Sequence, residues 1–216
     1  MRTYIREPIN GFTHLGGAIL SFIGLLALII KTTLTTKGSP VDLTAVIIFG
    51  ISMILLYSAS ATYHLVTASD KVIAFLRRID HSMIFILIAG SYTPFCLIGL
   101  KGIIGWITFS VISTIAICGV LFKMIWFNCP RWISTSIYIG MGWISIFIIV
   151  PLYNSIAFGG IALLVLGGIL YTIGAVIYGL KPRALKFKNL GFHEIFHIFI
   201  LLGSLAHFFA VFKYVI

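Results

Sequence analysis

The sequence predicts an all-α polytopic membrane protein with seven transmembrane helices, its N-terminus cytoplasmic and its C-terminus outside. Three observations carry that reading. Of the 216 residues, 60% are hydrophobic and only 9% charged, against roughly 25% charged residues in soluble domains. The apolar residues fall into seven runs, each close to the roughly 20 residues that cross a bilayer. The basic residues are distributed unevenly between the two sets of connecting segments.

The runs lie at about 11–30, 43–66, 79–100, 103–122, 132–152, 156–179 and 191–212. Arg2 and Arg6 before the first run resemble a signal peptide. That run is too long for one and no small-residue cleavage site follows, so it is expected to be retained as a span. Pro8, Pro40, Pro130, Pro151 and Pro182 fall in or beside the breaks, where helices end. Pro94 lies inside the third run and is expected to kink or loosen that helix. No stretch is polar and long enough for a separate soluble domain, so residues 1–216 read as one membrane domain.

Orientation follows from charge. One set of segments holds Arg2, Arg6, Lys71, Arg77, Arg78, Lys123, Arg131, Lys181, Arg183, Lys186 and Lys188, and the other Lys31, Lys37, Lys101 and Lys213. The excess marks the cytoplasmic side. The net charge of +10 therefore serves orientation and is not a nucleic-acid footprint. Cys96, Cys118 and Cys129 are scattered, form neither a disulfide framework nor a metal motif, and read as packing residues.

Ionisable residues inside a span are costly and mark functional sites by default. His64 lies near the cytoplasmic end of the second span, Asp80 opens the third, and His193 and His197 lie within the first turns of the seventh. Glu7, Asn10 and His14 stand at the start of the first. At 1.5 Å per residue all fall within roughly 10 Å of one membrane face. His193 and His197, four apart, share one helix face and can grip one metal ion. Adding His64 makes three imidazoles with an open fourth position, the ligand set of a catalytic zinc site. Asp80 suits the surrounding layer, positioning a water or accepting its proton. Ser60, one turn before His64, could hydrogen-bond the water or a substrate carbonyl.

Plainer readings compete. A histidine in a span often serves helix packing. Asp80 after Arg77 and Arg78 could favour a helix dipole, and Glu7 could pair with Arg2 or Arg6. His81, turned about 100° from Asp80, reads as structural. His207, about 15 Å deeper than His197, is out of reach of the same ion and reads as a buried polar contact with Ser204. His193-Glu194-Ile195-Phe196-His197 also spells H-E-x-x-H, the zinc-protease helix. The extended form of that motif is absent, with Ile200 and Gly203 at its further positions, and only Lys213 is charged after His197.

Glu7-x-x-Asn10-x-x-x-His14, Ser60-x-x-x-His64, Asp80 with Tyr92-Thr93-Pro94, and His193-x-x-x-His197 together resemble the hemolysin III family. That family is the bacterial branch of the progestin and adipoQ receptor superfamily. The resemblance runs in order over nearly the whole chain. It implies seven spans, a cytoplasmic N-terminus and a zinc held by His64, His193 and His197. It further implies that Asp80 engages the water on the metal and that Ser60 is the serine before the ligand His64. The wider grouping includes alkaline ceramidases, and bacterial members are associated with membrane-lipid homeostasis. The expected function is a zinc-dependent hydrolase of a lipid-like amide or ester in the plasma membrane, with a membrane lipid as its substrate. Two alternatives stay open: a non-enzymatic sensor of membrane state with structural zinc, and a haemolysin. A released toxin needs a water-soluble form, which so apolar a chain does not offer.

Overall fold

The computed structural model describes residues 5–36, 38–100, 102–126, 128–182 and 191–216. Among the described residues seven helices are long and apolar enough to cross a membrane: α1 Pro8–Thr35, α2 Pro40–Leu65, α3 Asp70–Leu100, α4 Gly102–Ile125, α5 Arg131–Tyr153, α6 Phe158–Leu180 and α7 Phe192–Val215. No strand occurs among the described residues. In lipid only structures that satisfy their own backbone groups survive, and a helix does so within one segment.

Local chemistry sets the helix starts. Pro8 and Pro40 occupy first-turn positions of α1 and α2, where the missing N–H costs nothing. The Ser39 hydroxyl accepts from the Asp42 N–H at the start of α2. At α7, the Glu194 carboxylate reaches back to accept the Gly191 N–H at 2.8 Å, half of a capping box. Pro94 loosens α3 as expected: its last segment, Phe95–Leu100, is a π-helix. In α5 the segment Ile144–Ile148 tightens to 3₁₀. The Tyr92 hydroxyl donates to the Met141 carbonyl just before it, at 2.9 Å.

One boundary differs from the sequence reading. α3 begins at Asp70, not near Asp80. Its first turns carry Lys71, Arg77 and Arg78 and are too charged to register as an apolar run. At 31 residues the helix is roughly 46 Å long and overhangs a hydrocarbon core of about 30 Å. The acid that serves the helix start is therefore Asp70. Asp80, ten residues in and buried, has no dipole to serve.

The helices close into a ring. α1 packs on α2 and α7, α2 on α3, α3 on α4 and α5, and α6 on α5 and α7. Phe49, Met53, Tyr57, Phe85 and Phe95 fill the interior. Large apolar side chains cover the outside, among them Leu20, Phe22, Ile23, Ile117 and Phe147, as a bilayer requires of a solvent-facing surface. Lys31 of α1 donates to the Phe212 carbonyl of α7, tying the two at the opposite end from Glu7 and Phe192.

Close approach of α2 and α3 depends on Gly90. A Cβ there would overlap the Ser52 side chain and lie 3.4 Å from the Ile48 carbonyl oxygen. Gly90→Val should therefore cost about 1–3 kcal/mol, as overpacking typically does. The test is thermal unfolding in detergent, and an unchanged midpoint would mean the two helices are not in contact there.

Candidate metal centre

The end of the bundle where α1 and α7 begin and α2 ends gathers the polar side chains. His64 sits in the last turn of α2 and His193 in the first turn of α7, with His197 one turn on. Ligand atoms of these three residues all lie within 4.8 Å of one another. The Nε2 atoms of His64 and His193 are 3.3 Å apart. Two nitrogens at Zn–N distances of 2.0–2.1 Å in tetrahedral geometry are separated by about 3.3–3.4 Å. The first pair thus already has a zinc site's spacing, and His197 completes the cluster from below. His64 and His197 are buried and His193 is half-buried.

The protonation of His64 follows from its neighbour. Its Nδ1 lies 2.7 Å from Glu7 Oε2. An ionised carboxylate only accepts hydrogen bonds, so Nδ1 carries a proton, and Nε2 is the nitrogen that faces His193. Hydrogen bonding from His64 is the main cause that holds the Glu7 carboxyl down at about 2; its partial burial opposes this, and the nearby His64, Asn10 and Arg6 reinforce it. Glu7 is thus ionised at neutral pH. The backbone is fixed as well, the Glu7 N–H donating to the His64 carbonyl at 3.0 Å.

Asn10 ties the arrangement to α7. Its amide nitrogen donates to Glu7 Oε2 at 3.2 Å and to Glu194 Oε1 at 3.1 Å. Glu194 is thereby occupied by Asn10 and by the Gly191 N–H. This removes it from the base role that H-E-x-x-H assigns. His14 stacks flat on His197, with ring centroids 3.7 Å apart and an angle of 13°. It buttresses the cluster and is not part of it.

Asp80 and Ser60 are both buried, neighbour one another, and share with His193 and His197 the wall of an internal cavity of about 170 Å³. Asp80 stands outside the group whose atoms lie within 4.8 Å, the placement expected for a residue beside a metal and not on it. The cavity runs from this end between α3, α5, α6 and α7, past Tyr92 and Trp143, to His207, and its wall is mostly apolar. A second hollow of about 290 Å³ opens at the bundle end, lined by Glu7, His64, Arg77, Arg131, Tyr178 and His193 among others.

The structure brings together His64, His193 and His197 within one cluster and sets Asp80 and Ser60 in the adjoining cavity wall. Three other residues have surroundings that the sequence does not specify. Glu7 does pair with Arg6, at 3.5 Å, yet its shorter contact is to His64. His81 lines both hollows, with the Tyr178 hydroxyl 3.4 Å from its Nε2. His207 bonds the Leu164 carbonyl at 3.1 Å, while Ser204 is taken by the hydroxyls of Tyr57 and Tyr171. Lys123 gave no signal in the sequence beyond orientation. It is buried and donates to Ser134 at 3.0 Å, with the Cys129 sulfur 3.5 Å away. The orientation count also used Arg2, Lys37, Lys101, Arg183, Lys186 and Lys188, which lie outside the described residues.

A metal-ligating histidine owes its tautomer and orientation to the partner of its other nitrogen. Glu7→Gln should therefore weaken zinc affinity roughly 10–100-fold. Competition against a chromogenic chelator measures this, and unaltered affinity would show that Glu7 does not orient His64.

Comparison with known proteins places these features in context. Residues 2–208 match the family model described as Haemolysin-III related. A hemolysin-3 homolog of Bacillus subtilis (strain 168) is 40% identical over 215 residues, covering 99% of this chain and 96% of the relative. Hemolysin-3 of Bacillus cereus is 41% identical over 220 residues, covering 100% and 95%. The monocyte to macrophage differentiation factor of Homo sapiens is 23% identical over 177 residues, covering 77% and 68%.

Proposed function

The chain belongs to the haemolysin III-related family, and from that premise we propose that it is a zinc-dependent hydrolase of a lipid-like amide or ester. It is a multi-pass membrane protein, in bacteria one of the plasma membrane. The observation that supports the enzymatic reading is the buried convergence of His64, His193 and His197 with Asp80 and Ser60 at the head of an apolar cavity.

His64, His193 and His197 would hold the ion through their ring nitrogens. When bound, zinc supplies Lewis acidity, polarising a carbonyl and acidifying water. Asp80 orients the attacking water and takes its proton on a carboxylate oxygen. Ser60 donates its hydroxyl hydrogen to the oxygen on which charge develops, as preorganised donors do in acyl transfer. The apolar cavity receives the hydrocarbon chain and keeps bulk water from the reacting carbonyl. Hydrolysis adds one water across the acyl bond and yields a carboxylic acid and an amine or alcohol. The role in membrane-lipid homeostasis belongs to the same proposal.

The basic end is assigned to the cytoplasm on the same footing. Arg6, Lys71, Arg77, Arg78, Lys123, Arg131 and Lys181 stand there, against Lys31 and Lys213 at the other end among the described residues.

Incubation of purified protein with a panel of lipid amides and esters, with and without exhaustive chelation, tests the reading. Zinc-dependent release of fatty acid is expected, and turnover that survives complete removal of zinc would overturn it. The names of the Bacillus relatives favour a second reading, cytolysis. It requires conductance in a pure-lipid bilayer that is absent from a protein-free control.

A further inference from the structure

The two hollows meet. Arg77, His81, Arg131, Tyr178 and His193 line both the internal cavity and the outer vestibule. A chain-bearing molecule lying in the cavity with its reacting group at the histidines must therefore leave its remaining part in the vestibule. Two guanidinium groups stand there, Arg77 from α3 and Arg131 from the first turn of α5. Arg131 is set over the Tyr178 ring, 5.3 Å from its centroid. Its Nη1 is buried with no hydrogen-bond partner among the described residues. A buried unpaired donor on a cation is costly, and an arginine fork is shaped for carboxylate or phosphate oxygens. Among the described residues Glu7 is the one acid in the vestibule wall, and its carboxylate is engaged by His64, Arg6 and Asn10; Asp80, near Arg77, lines the inner cavity and not the vestibule.

Resting on the hydrolase reading for the placement of the reacting group, we propose that the vestibule is a subsite for an anion carried by the substrate. The anion is a carboxylate or phosphate on the part that stays at the membrane surface while the hydrocarbon chain enters the cavity. The preferred substrate class is then an acylated molecule with an anionic head, such as an N-acyl amino acid, and not a neutral lipid amide. The orientation signal alone does not account for these two arginines. Positive-inside bias asks only that a charge lie near the interface, whereas these two line the passage to the histidines.

Binding separates this proposal from the hydrolase reading, because it needs no turnover. Purified zinc-loaded protein in zwitterionic nanodiscs would be titrated with N-oleoylglycine and N-oleoylethanolamine, which share one acyl chain and differ in charge, while a fluorescent fatty-chain reporter is displaced. N-oleoylglycine should displace it at about tenfold lower concentration, the scale of one charge-assisted hydrogen bond. Arg131→Gln should bring the two ligands within about twofold of each other, with zinc content and N-oleoylethanolamine affinity unchanged; those two readouts also verify folding. Arg131→Lys should retain part of the preference. N-acetylglycine and inorganic phosphate should not displace the reporter at the same concentrations, which ties the anion to a chain. Equal affinity for the two amides would overturn the proposal. So would a preference that survives the Arg77→Gln/Arg131→Gln double variant, displacement by phosphate alone, or no displacement by either amide. A clear anionic preference without hydrolysis of either amide would leave this subsite standing and count against amide hydrolysis.

Discussion

His193→Ala is expected to purify without zinc. The variant keeps two of three imidazoles, and the lost one belongs to the pair already at a zinc site's spacing of 3.3 Å. Changes in the outer layer around a metal cost roughly 10–100-fold in affinity, and loss of a direct ligand should exceed that range. His193 is a better target than His197. It is half-buried in the first turn of α7, whereas His197 is buried under His14, so its removal would also leave a hole in the core. Elemental analysis after gel filtration reads the outcome beside the unfolding midpoint. A folded His193→Ala protein with stoichiometric zinc would remove this histidine from the ligand set.

Asp80→Asn should do the opposite, keeping zinc and losing turnover. General acid–base groups contribute about 10²–10⁴-fold, and the amide cannot take a proton at neutral pH. Asparagine has nearly the volume of aspartate, so its place in the cavity wall stays filled. Asp80 is not among the atoms within 4.8 Å of the histidine ligands, so metal content should be indifferent to the change. Full activity in a zinc-replete Asp80→Asn protein would strip the carboxylate of its role. If a variant without turnover nonetheless restored function in a null strain, zinc as a structural staple in a sensor would become the better account.

Much of this was legible in one dimension. Hydropathy locates all seven spans, because a bilayer demands a long apolar run for each crossing whatever its neighbours are. The register of His193 and His197 is legible because helical periodicity is local. The shared depth of His64, Asp80 and His193 is legible because a membrane gives every span the same two reference planes. A soluble fold offers no such ruler.

Other features were out of reach. α3 starts nine residues before its apolar run, since helix continues through Lys71, Arg77 and Arg78 where hydropathy fails. Glu7 has a basic neighbour in sequence that offers a sufficient partner, and nothing local says that its shorter contact is His64, 57 residues away. His14 and His197 stack, and His81 faces both hollows, because of how each helix is rotated against the next.

Composition and spacing by themselves determined that the chain is a seven-helix membrane protein and that its ionisable residues gather in one layer. Only the tertiary structure decided which of them touch. Rotational phase between helices depends on close contacts such as Gly90 against Ser52 and Gly17 against Tyr57, made between residues distant in sequence. That phase aims His64 at His193, gives Glu7 the other nitrogen of the same ring, and sets the two arginines at the mouth of the cavity.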